Sequence, residues 1–410
     1  MLITIAIGCA YLNRKFIVLT ATLLIVIISV SVFIGVNILS KPTSTAIRPF
    51  YVGVEFAYSD QFGALKALVD KVKDYTNLFI IGSIGISFNR SALDQSCNYL
   101  NDSGLNFIVF FTSFTSPNYN SSGGWSDNYT TFTWMRDAYS KYGNKFLGVY
   151  RYDEPGGNQL DNGTSRLVQN GASYTEVATN YEGILSGIVQ YYYNAGNLSR
   201  IVTSDYGLYW FDYKSSYSTV FAEFLGNETR HGSPGRPLIV SLDRGAAQSF
   251  HKNWGIIVTW QFNQAPYLES GDQLYSDLTL AYSTGASYAI VFSYPVYPDN
   301  NPYGTLLEEH FQALQKFWNV LHNNPDSIPQ YKATVAYVLP QDYGFGFRSS
   351  NDNIWGLFPA DNLTQKISAD IHFLLEKYNG SLNVIYNDPT IIDSTLSNYQ
   401  KVYYWNETIT

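Results

Sequence analysis

Short apolar runs alternate with longer amphipathic stretches along most of the chain. From residue 51 onward, the runs rich in β-branched and aromatic residues predict strands. They are Tyr51–Ala57, Leu78–Gly82, Asn106–Phe111, Phe146–Tyr152, Ile201–Ser204, Leu238–Leu242, Ile256–Trp260 and Tyr288–Ser293. Because these runs are continuously apolar and helical patterns separate them, they predict a parallel sheet buried on both faces.

The stretches that follow these strands have helical periodicity. They are Phe62–Tyr75, Ser91–Asn101, Thr131–Tyr142, Tyr174–Asn194, Ser216–Leu225, Ala246–Lys252, Gln273–Ser283 and Leu306–His322. Eight strand–helix units in about 275 residues match a (β/α)8 barrel better than an open doubly wound sheet. The glycine-rich dinucleotide fingerprint is also missing after the first strand. The sequence therefore predicts an α/β fold with a TIM barrel over residues 50–323.

The chain beyond the barrel begins with a segment of linker composition, Asn323–Pro329. The patterns after it predict a strand, a helix and two more strands, at Ala333–Leu339, Thr364–Tyr378, Leu382–Tyr386 and Lys401–Tyr404. We therefore expect a small C-terminal α/β domain over residues 324–410. Its aromatic and glycine-rich loop includes Arg348 and Trp355, and we expect it to dock on the barrel, with completion of a cleft as the alternative.

The N-terminal region contains 24 residues without a charge, Phe16–Leu39. This length exceeds the roughly 20 residues that cross a bilayer and predicts one transmembrane helix. Arg14 and Lys15 precede it, so we expect residues 1–15 to be a cytoplasmic tail. Residues 40–49 read as a stalk, and the rest of the chain is expected outside the cell. A cleaved signal peptide is the alternative.

Asparagine-linked glycosylation motifs agree with an extracellular location. They lie at Asn89, Asn101, Asn120, Asn128, Asn162, Asn197, Asn227, Asn362, Asn379 and Asn406. Only Cys97 follows the apolar span, so the extracellular part has no disulfide. This is typical of an archaeal or bacterial surface protein rather than an animal secreted protein. The expected partners are a carbohydrate, the membrane through the N-terminal helix, and other envelope proteins.

The composition argues against nucleic-acid binding and against a metal cofactor. Charged residues make up only 14% of the chain and its net charge is −8, so no basic face is available and nucleic acid is not expected as a partner. Aromatic residues make up 17%, and Tyr is the commonest of them. The five histidines are scattered without metal-ligand spacing, and no metal or cofactor is expected.

The ends of the strands carry the active site in a barrel of this kind. Here they are rich in carboxylates and aromatic rings. Cleavage of a glycosidic bond requires a proton donor, a base or nucleophile, and flat surfaces for the sugar rings. The candidate catalytic residues are Glu154, Asp153, Asp243 and Glu55. The candidate substrate-binding residues are Tyr152, Asp205, Tyr206, Trp210, Trp260, Gln261 and Tyr294.

One strand end resembles a known signature. Asp153-Glu154-Pro155, after the fourth strand, resembles the Asn-Glu-Pro motif of the retaining superfamily of TIM-barrel glycoside hydrolases. The barrel followed by a small α/β domain also resembles archaeal cell-surface proteins of glycoside-hydrolase type. The resemblance implies that Glu154 is the general acid.

Two features depart from that family pattern. Asp153 stands where the family has an asparagine that hydrogen-bonds the sugar 2-hydroxyl. The family's nucleophilic glutamate ends strand seven, where this chain has Gln261 and further amides, and an amide is not a nucleophile. Glu269 or a carboxylate of another strand would have to substitute. Alternatively, Asp243 or Glu55 activates water in an inverting reaction.

Side-chain alternation along the fourth strand gives a further expectation. Arg151 and Asp153 share one face, and Glu154 lies on the other. An unpaired arginine against the helix layer would be costly, so we expect Arg151 and Asp153 to point into the barrel. Glu154 then reaches the mouth only through a bend before Pro155. Ion pairs of Arg151 with Asp153 or Glu55 are the structural alternative.

Two functions follow from these observations. The first is a membrane-anchored extracellular glycoside hydrolase acting on polysaccharide or surface glycan. The second is a non-catalytic glycan-binding or cell-envelope protein, which the low charge and the amides of strand seven favour. Two mouth carboxylates about 5–10 Å apart would favour the enzyme. For Asp243, capping of the next helix is the structural alternative, and for Trp210 it is core packing.

Overall fold

The computed structural model describes residues 49–111, 130–161, 163–225, 235–259, 266–296 and 301–409. Parallel strands close into a barrel in the order β1 to β8. They are β1 (Tyr51–Phe56), β2 (Leu78–Ile81), β3 (Asn106–Phe111), β4 (Phe146–Arg151), β5 (Ile201–Asp205), β6 (Thr219–Phe224), β7 (Asn253–Val258) and β8 (Tyr288–Ser293). The predicted TIM-barrel fold is confirmed.

Helices cover the outside of the barrel. They are α1 (Phe62–Val72), α2 (Ile84–Ser87), α3 (Arg90–Asp102), α4 (Thr131–Tyr142), α5 (Pro155–Asp161), α6 (Tyr174–Gly196), α7 (Tyr209–Lys214), α8 (Arg236–Ser249), α9 (Gly271–Thr284) and α10 (Glu308–Asn323). Five of them begin at a polar residue whose side chain accepts a hydrogen bond from the first turn: Ser83, Asn89, Thr130, Ser173 and Ser270. Such caps satisfy amides that the helix itself leaves without a partner.

The sixth strand was predicted in the wrong place. Leu238–Leu242 lies inside α8, and the segment predicted as helix, Ser216–Leu225, contains β6. The C-terminal sheet packs on the outer side of α8, where a Cβ added to Gly245 would lie 2.4 Å from the Val384 carbonyl oxygen. A helix buried on nearly every side lacks a polar face, and its apolar run resembles a buried strand.

The interior of the barrel is filled with side chains rather than hollow. Its apolar layer consists of Leu78, Ile80, Ile108, Leu147, Tyr150, Val202, Phe221, Ile257, Tyr288 and Ile290. A second, larger core lies between the strands and the surrounding helices. Toward the C-terminal ends of the strands, the inward positions become polar at Glu55, Ser204 and Glu223, all of them buried. The polar chemistry of the barrel is therefore concentrated at one end.

The chain after the barrel forms a second, parallel sheet of three strands in the order β10-β9-β11. Its elements are β9 (Val335–Leu339), α11 (Asn362–Tyr378), β10 (Leu382–Tyr386), α12 (Ile392–Leu396) and β11 (Lys401–Tyr404). The three strands predicted for this region are therefore observed, two with the predicted bounds and the first beginning at Val335 instead of Ala333. Phe50–Thr410 nevertheless forms one compact unit.

The contact between the small sheet and the barrel explains that compactness. Arg244 of α8 is buried and donates through Nε to Asn383 Oδ1 at 2.8 Å and through Nη2 to the Leu382 carbonyl at 2.8 Å. The Trp210 ring of α7 lies 5.0 Å from that of Phe250 and 5.4 Å from that of Tyr386. Trp210, a candidate for sugar binding, is thus a packing residue between barrel and sheet.

The membrane prediction concerns a different part of the chain. In the ranges that the structure describes, no helix is both long and apolar enough to cross a bilayer. The predicted span Phe16–Leu39, the tail before it and nearly all of the stalk lie outside those ranges.

Candidate active site at the barrel mouth

Four carboxyl groups meet at the C-terminal end of the barrel. Glu55 and Glu223 are the last but one residues of β1 and β6, and Asp153 and Glu154 follow β4. The negative charge of Asp153 raises the pKa of the other three, and that of Glu154 also raises the pKa of Glu223, which requires that they lie close together. We call these four residues the mouth cluster.

The backbone after β4 explains how neighbouring residues both reach the mouth. Tyr152 and Glu154 have left-handed backbone conformations, with φ of 62° and 50°. Each such conformation costs a non-glycine residue about 1–3 kcal/mol and persists only where the surroundings impose it. The strand alternation therefore ends at Tyr152, and Asp153 and Glu154 are no longer on opposite faces.

The expected direction of Arg151 was wrong. Its guanidinium lies outside the strands, 4.6 Å from the centroid of the Tyr192 ring on α6, and donates to the Phe111 carbonyl at 3.4 Å. Tyr150 points into the barrel instead. A cation–π contact and a carbonyl thus take the place of the ion pairs with Asp153 or Glu55 that we considered.

Neighbouring strands and side chains fix the turn that carries Glu154. The Glu154 amide donates to the Ser204 carbonyl at 3.2 Å, and the Thr203 hydroxyl donates to the Tyr152 carbonyl. The Glu154 carbonyl accepts the Asn158 amide at 2.8 Å, which begins α5. These bonds hold the unusual backbone in place and keep the Glu154 side chain at the mouth.

Asp205 at the end of β5 supports the same turn. Its two carboxylate oxygens accept the Gly156 amide at 2.6 Å and the Gly157 amide at 2.9 Å. The carboxyl of Asp212 also hydrogen-bonds to Asp205, and burial followed by the charge of Asp205 raises the pKa of Asp212 well above its usual value. Asp205 was a candidate for substrate binding, but its contacts are those of a residue that positions Glu154.

A chain of hydroxyl groups connects the carboxylates across the mouth. The Ser204 hydroxyl donates to Glu223 Oε1 at 2.7 Å. The Tyr150 hydroxyl contacts Ser204 Oγ at 2.6 Å and donates to Asp153 Oδ1, which also lies 3.2 Å from Ser204 Oγ. Glu223 and Asp153 are therefore held through shared hydroxyl partners rather than by cations.

Glu154 and Glu223 form a coupled pair within hydrogen-bonding contact. Burial first, and then the charge of Asp153, raise the pKa of Glu154 to about 7, while a hydrogen bond from Glu223 opposes the rise. Burial and the charge of Glu154 raise the pKa of Glu223 well above its usual value. The fully buried Glu223 keeps its proton more firmly. The pair therefore holds two protons below about pH 7 and one above it.

The other two members of the cluster differ in exposure. Glu55 is buried, and burial followed by the charge of Asp153 raises its pKa well above the usual value. Asp153 still reaches solvent. The surrounding protein atoms raise the pKa of Asp153, but the hydroxyl groups of Tyr150 and Ser204 oppose the rise by hydrogen bonding to the carboxylate. Asp153 is therefore the member best suited to stay ionised.

Two aromatic candidates follow barrel strands at the same end. Tyr206 follows β5, and its hydroxyl donates to Asp161 Oδ2 at 2.7 Å. Tyr294 follows β8, is 42% exposed, and its ring lies 5.7 Å from that of Phe292. Tyr152 is instead buried, and Trp260 and Gln261 lie outside the described residues.

The structure does not bring two other carboxylate candidates to the mouth. Asp243 lies within α8 and not at its start, so it is neither at a strand end nor a helix cap. It faces the Tyr213 hydroxyl, which donates to the Asn253 carbonyl at the beginning of β7. Glu269 is held by Arg236 in a separate ion-pair cluster.

Glu223 is the residue that our sequence analysis missed. The signal was present in Thr219–Phe224, whose β-branched and aromatic residues favour a strand, with a carboxylate at its last inward position. We assigned that segment to a helix and so excluded it from the strand ends. In the described part of the chain, no group of three or more metal-ligating side chains has a geometry suited to a metal ion.

Comparison with known proteins supports the fold. No family model matches the sequence, and no curated protein matches it. A β-galactosidase from Rahnella sp. R3 superposes with a TM-score of 0.57 at 13% identity, over 88% of this chain and 68% of that one.

Two further structures from Bifidobacterium longum have the same fold. A GH5_18 protein from subspecies infantis has a TM-score of 0.52 at 10% identity, over 88% of this chain and 98% of that one. A GH5_18 protein from subspecies longum, solved in complex with Manb1-4GlcNAc, has a TM-score of 0.51 at 10% identity, over 88% and 97%. At these identities the likeness shows the fold alone, a TIM barrel, as the alternation of strands and helices predicts.

Proposed function

We propose that this protein is a glycoside hydrolase in which Glu154 and Glu223 are the catalytic pair. The observation that carries the proposal is the hydrogen bond between these two carboxyl groups at the barrel mouth, together with the raised pKa of both. Environments that hold one carboxyl protonated beside an ionised one are what acid-assisted cleavage of a glycosidic bond requires.

The close contact favours a retaining reaction over an inverting one. Inverting enzymes need about 6.5–9.5 Å between the carboxyl groups to admit a water molecule, whereas retaining enzymes have about 5 Å. Glu154 protonates the glycosidic oxygen as the bond to the anomeric carbon breaks, and ionised Glu223 forms a covalent bond to that carbon. Glu154 then removes a proton from water, which displaces Glu223. The hydrogen bond within the pair lets the shared proton reach Glu154.

The aromatic side chains beside the cluster suit a sugar. Tyr294 is exposed and next to Phe292, and Tyr206 is anchored beside Glu154 through Asp161. Flat rings at the edge of a site stack on the apolar faces of sugar rings. We therefore propose Tyr206 and Tyr294 as substrate-binding residues.

The experiment uses the purified full-length chain and a panel of 4-nitrophenyl glycosides and polysaccharides. Glu154→Gln and Glu223→Gln should each lower kcat/KM by about 1,000-fold or more, because each removes a group that acts only in the transition state. Glu376→Gln, an exposed change on α11, is the matched control and should stay within twofold. Wild-type rates in either variant would refute the catalytic pair.

Added azide separates the two roles. With Glu154→Gln, azide should attack the covalent intermediate and give a glycosyl azide of the substrate's anomeric configuration. With Glu223→Gln, azide should replace the missing nucleophile and give the opposite configuration. Reversed products would assign the acid to Glu223 instead.

A non-catalytic glycan-binding role is the second candidate. The absence of any carboxylate from the strand-seven segment Trp260–Ala265, where the resembled family has its nucleophile, favours it. Binding of a glycan with no hydrolysis in the wild-type protein would support this role and remove the first.

We also propose that the catalytic unit is extracellular and held at the membrane by Phe16–Leu39. Among the described residues, four asparagines of glycosylation motifs are exposed, and they support this location: Asn197, Asn362, Asn379 and Asn406. Mass spectrometry of the native protein should find glycans on some of them, and alkaline carbonate should leave the protein in the membrane fraction. Release by carbonate would indicate a cleaved signal instead.

A further inference from the structure

We infer that the barrel mouth takes a sugar with a free, protonated amino group at C2, bound between Asp153 and Glu55. This inference rests on the proposed function, because it assumes that the sugar ring lies over the Glu154–Glu223 pair. It adds the chemical class of the substrate, an amino sugar, which the catalytic pair alone does not specify.

The first observation is Glu55. Its side chain is 3% exposed and points into the barrel, since Val54 and Phe56 on either side of it pack in the outer core. Its Oε2 atom is buried and receives no hydrogen bond. The space for this carboxyl is provided by Gly82 of the neighbouring strand, where an added Cβ would lie 2.4 Å from Oε1. A buried carboxyl oxygen without a donor is costly unless a ligand supplies one.

The second observation is the identity of residue 153. The resembled family has an asparagine here that contacts the sugar 2-hydroxyl, and this chain has Asp153. Its Oδ1 atom accepts the Tyr150 hydroxyl, and no described residue donates to Oδ2. A carboxylate only accepts hydrogen bonds, so its partner must be a donor. An ammonium group supplies three donors and the opposite charge.

The third observation is the balance of charge around the cluster. No arginine among the described residues forms an ion pair with the mouth cluster: Arg151 contacts the Tyr192 ring, Arg236 pairs with Glu269 and Asp277, and Arg348 pairs with Asp161 and Asp352. Four carboxyl groups thus face the mouth among the described residues without a basic partner. As far as the described residues determine its charge, such a site favours a cation over a uronic or sialic acid.

Ammonium binding also accounts for the protonation of the site. In the free protein Glu55 is kept neutral by burial and by the charge of Asp153. When an ammonium group enters, its charge favours the ionised form of Glu55, which loses its proton to solvent. Binding should therefore release a proton, which calorimetry detects as a dependence of the heat on the buffer.

The test measures binding by calorimetry at about pH 6, below the ordinary pKa of an amine. The ligands are methyl thioglycosides, which resist hydrolysis, of glucosamine and galactosamine and of the matching glucose and galactose. The amino form should bind about 10- to 100-fold more tightly in at least one configuration. This is the gain in affinity expected from a hydrogen bond to a charged group. Asp153→Asn should abolish the preference, and Glu55→Gln should reduce it by about tenfold.

Glu376→Gln is again the control and should leave the preference unchanged. The inference is overturned if no amino sugar binds more tightly than its hydroxyl counterpart, or if the preference persists in Asp153→Asn. Hydrolysis of neutral glycosides without amino preference would remove this inference and leave the proposed function intact. If the protein prefers amino sugars through Asp153 but hydrolyses none of them, the inference is supported and the proposed hydrolase function is refuted.

Discussion

Two groups of buried carboxyls in this protein differ in how their charge is balanced. In the mouth cluster, hydroxyl groups are the described donors, with Ser204 bonding to Glu223 and Tyr150 to Asp153. In the second group, on the outer layer, Arg236 at the start of α8 donates to Glu269 and contacts Asp277 at 2.5 Å. We call this second group the Arg236 cluster.

The difference separates a structural role from a functional one. In the Arg236 cluster, burial raises the pKa of Glu269 to about 9, so one cation faces one carboxylate and one neutral carboxyl. The charges cancel within the protein, and the cluster needs no ligand. In the mouth cluster the described partners leave the negative charge uncompensated, so a proton or a ligand must balance it. The type of partner, rather than burial itself, distinguishes the two.

The largest expected effect comes from removing the cation of the Arg236 cluster. Arg236→Met should lower the free energy of unfolding by about 3–5 kcal/mol, because it leaves two buried carboxyls without their partner. Urea denaturation of the full chain measures this loss. Lys332→Met, at an exposed position, is the control and should change stability by less than about 0.5 kcal/mol. A loss below 1 kcal/mol for Arg236→Met would mean that the cluster is not the structural anchor we describe.

The next effect is the pH dependence of activity. Catalysis needs one proton on the Glu154–Glu223 pair, and the second proton binds as the pH falls below about 7. We therefore expect kcat/KM to decrease about tenfold per pH unit below 7, as the ionised member is lost. Initial rates from about pH 4 to 9 on a chromogenic substrate test this. Constant activity down to pH 5 would contradict the assigned pKa.

A smaller effect concerns the pH dependence of stability at Glu223. A carboxyl whose pKa is raised in the folded state holds its proton more firmly than in the unfolded chain, so its contribution to stability is complete below about pH 4 and is lost as the pH rises. Glu223→Gln removes that loss and should raise the free energy of unfolding by about 1 kcal/mol at pH 8, with no gain at pH 4. Urea denaturation at both pH values measures the difference. Destabilisation at pH 8 would place Glu223 with the structural carboxyls.

The smallest effect tests the hydroxyl partners. Ser204→Ala removes the donor to Glu223 Oε1 and should lower kcat about two- to fivefold, the value of one neutral hydrogen bond of roughly 0.5–1 kcal/mol. Because Ser204 acts through Glu223, the pH profile should also shift upward, since its hydrogen bond lowers the pKa of Glu223. An unchanged profile together with reduced stability would indicate a merely structural role.

Much of the fold was predictable from local patterns. Seven of the eight barrel strands, and their alternation with helices, were predicted from continuous apolar runs. Such runs are typical of strands that are buried on both faces. The exception, α8, shows the limit: its polar face is absent because the C-terminal sheet covers it through Arg244 and Gly245. A contact across 138 residues, such as that of Arg244 with Leu382, leaves no periodic trace in the helix itself.

The candidate site was predictable in part. Asp153, Glu154 and Glu55 were found because strand ends in a barrel converge on one mouth. The side-chain direction of Arg151 was predicted wrongly. The prediction assumed that the strand alternation continues to Glu154, but the left-handed backbone at Tyr152 interrupts it. Glu223 was missed along with its strand.

The sequence by itself determined the succession of strands and helices, the low charge, and the carboxylates that follow β1 and β4. These depend on residues within a few positions of one another, where apolar periodicity and backbone preference act. Tertiary structure alone decided that Glu223, from β6, would meet Glu154, and that Glu269 would meet Arg236 instead. Closure of the barrel brings distant strand ends together, and whether a buried carboxyl then finds a cation or only hydroxyl groups depends on that packing.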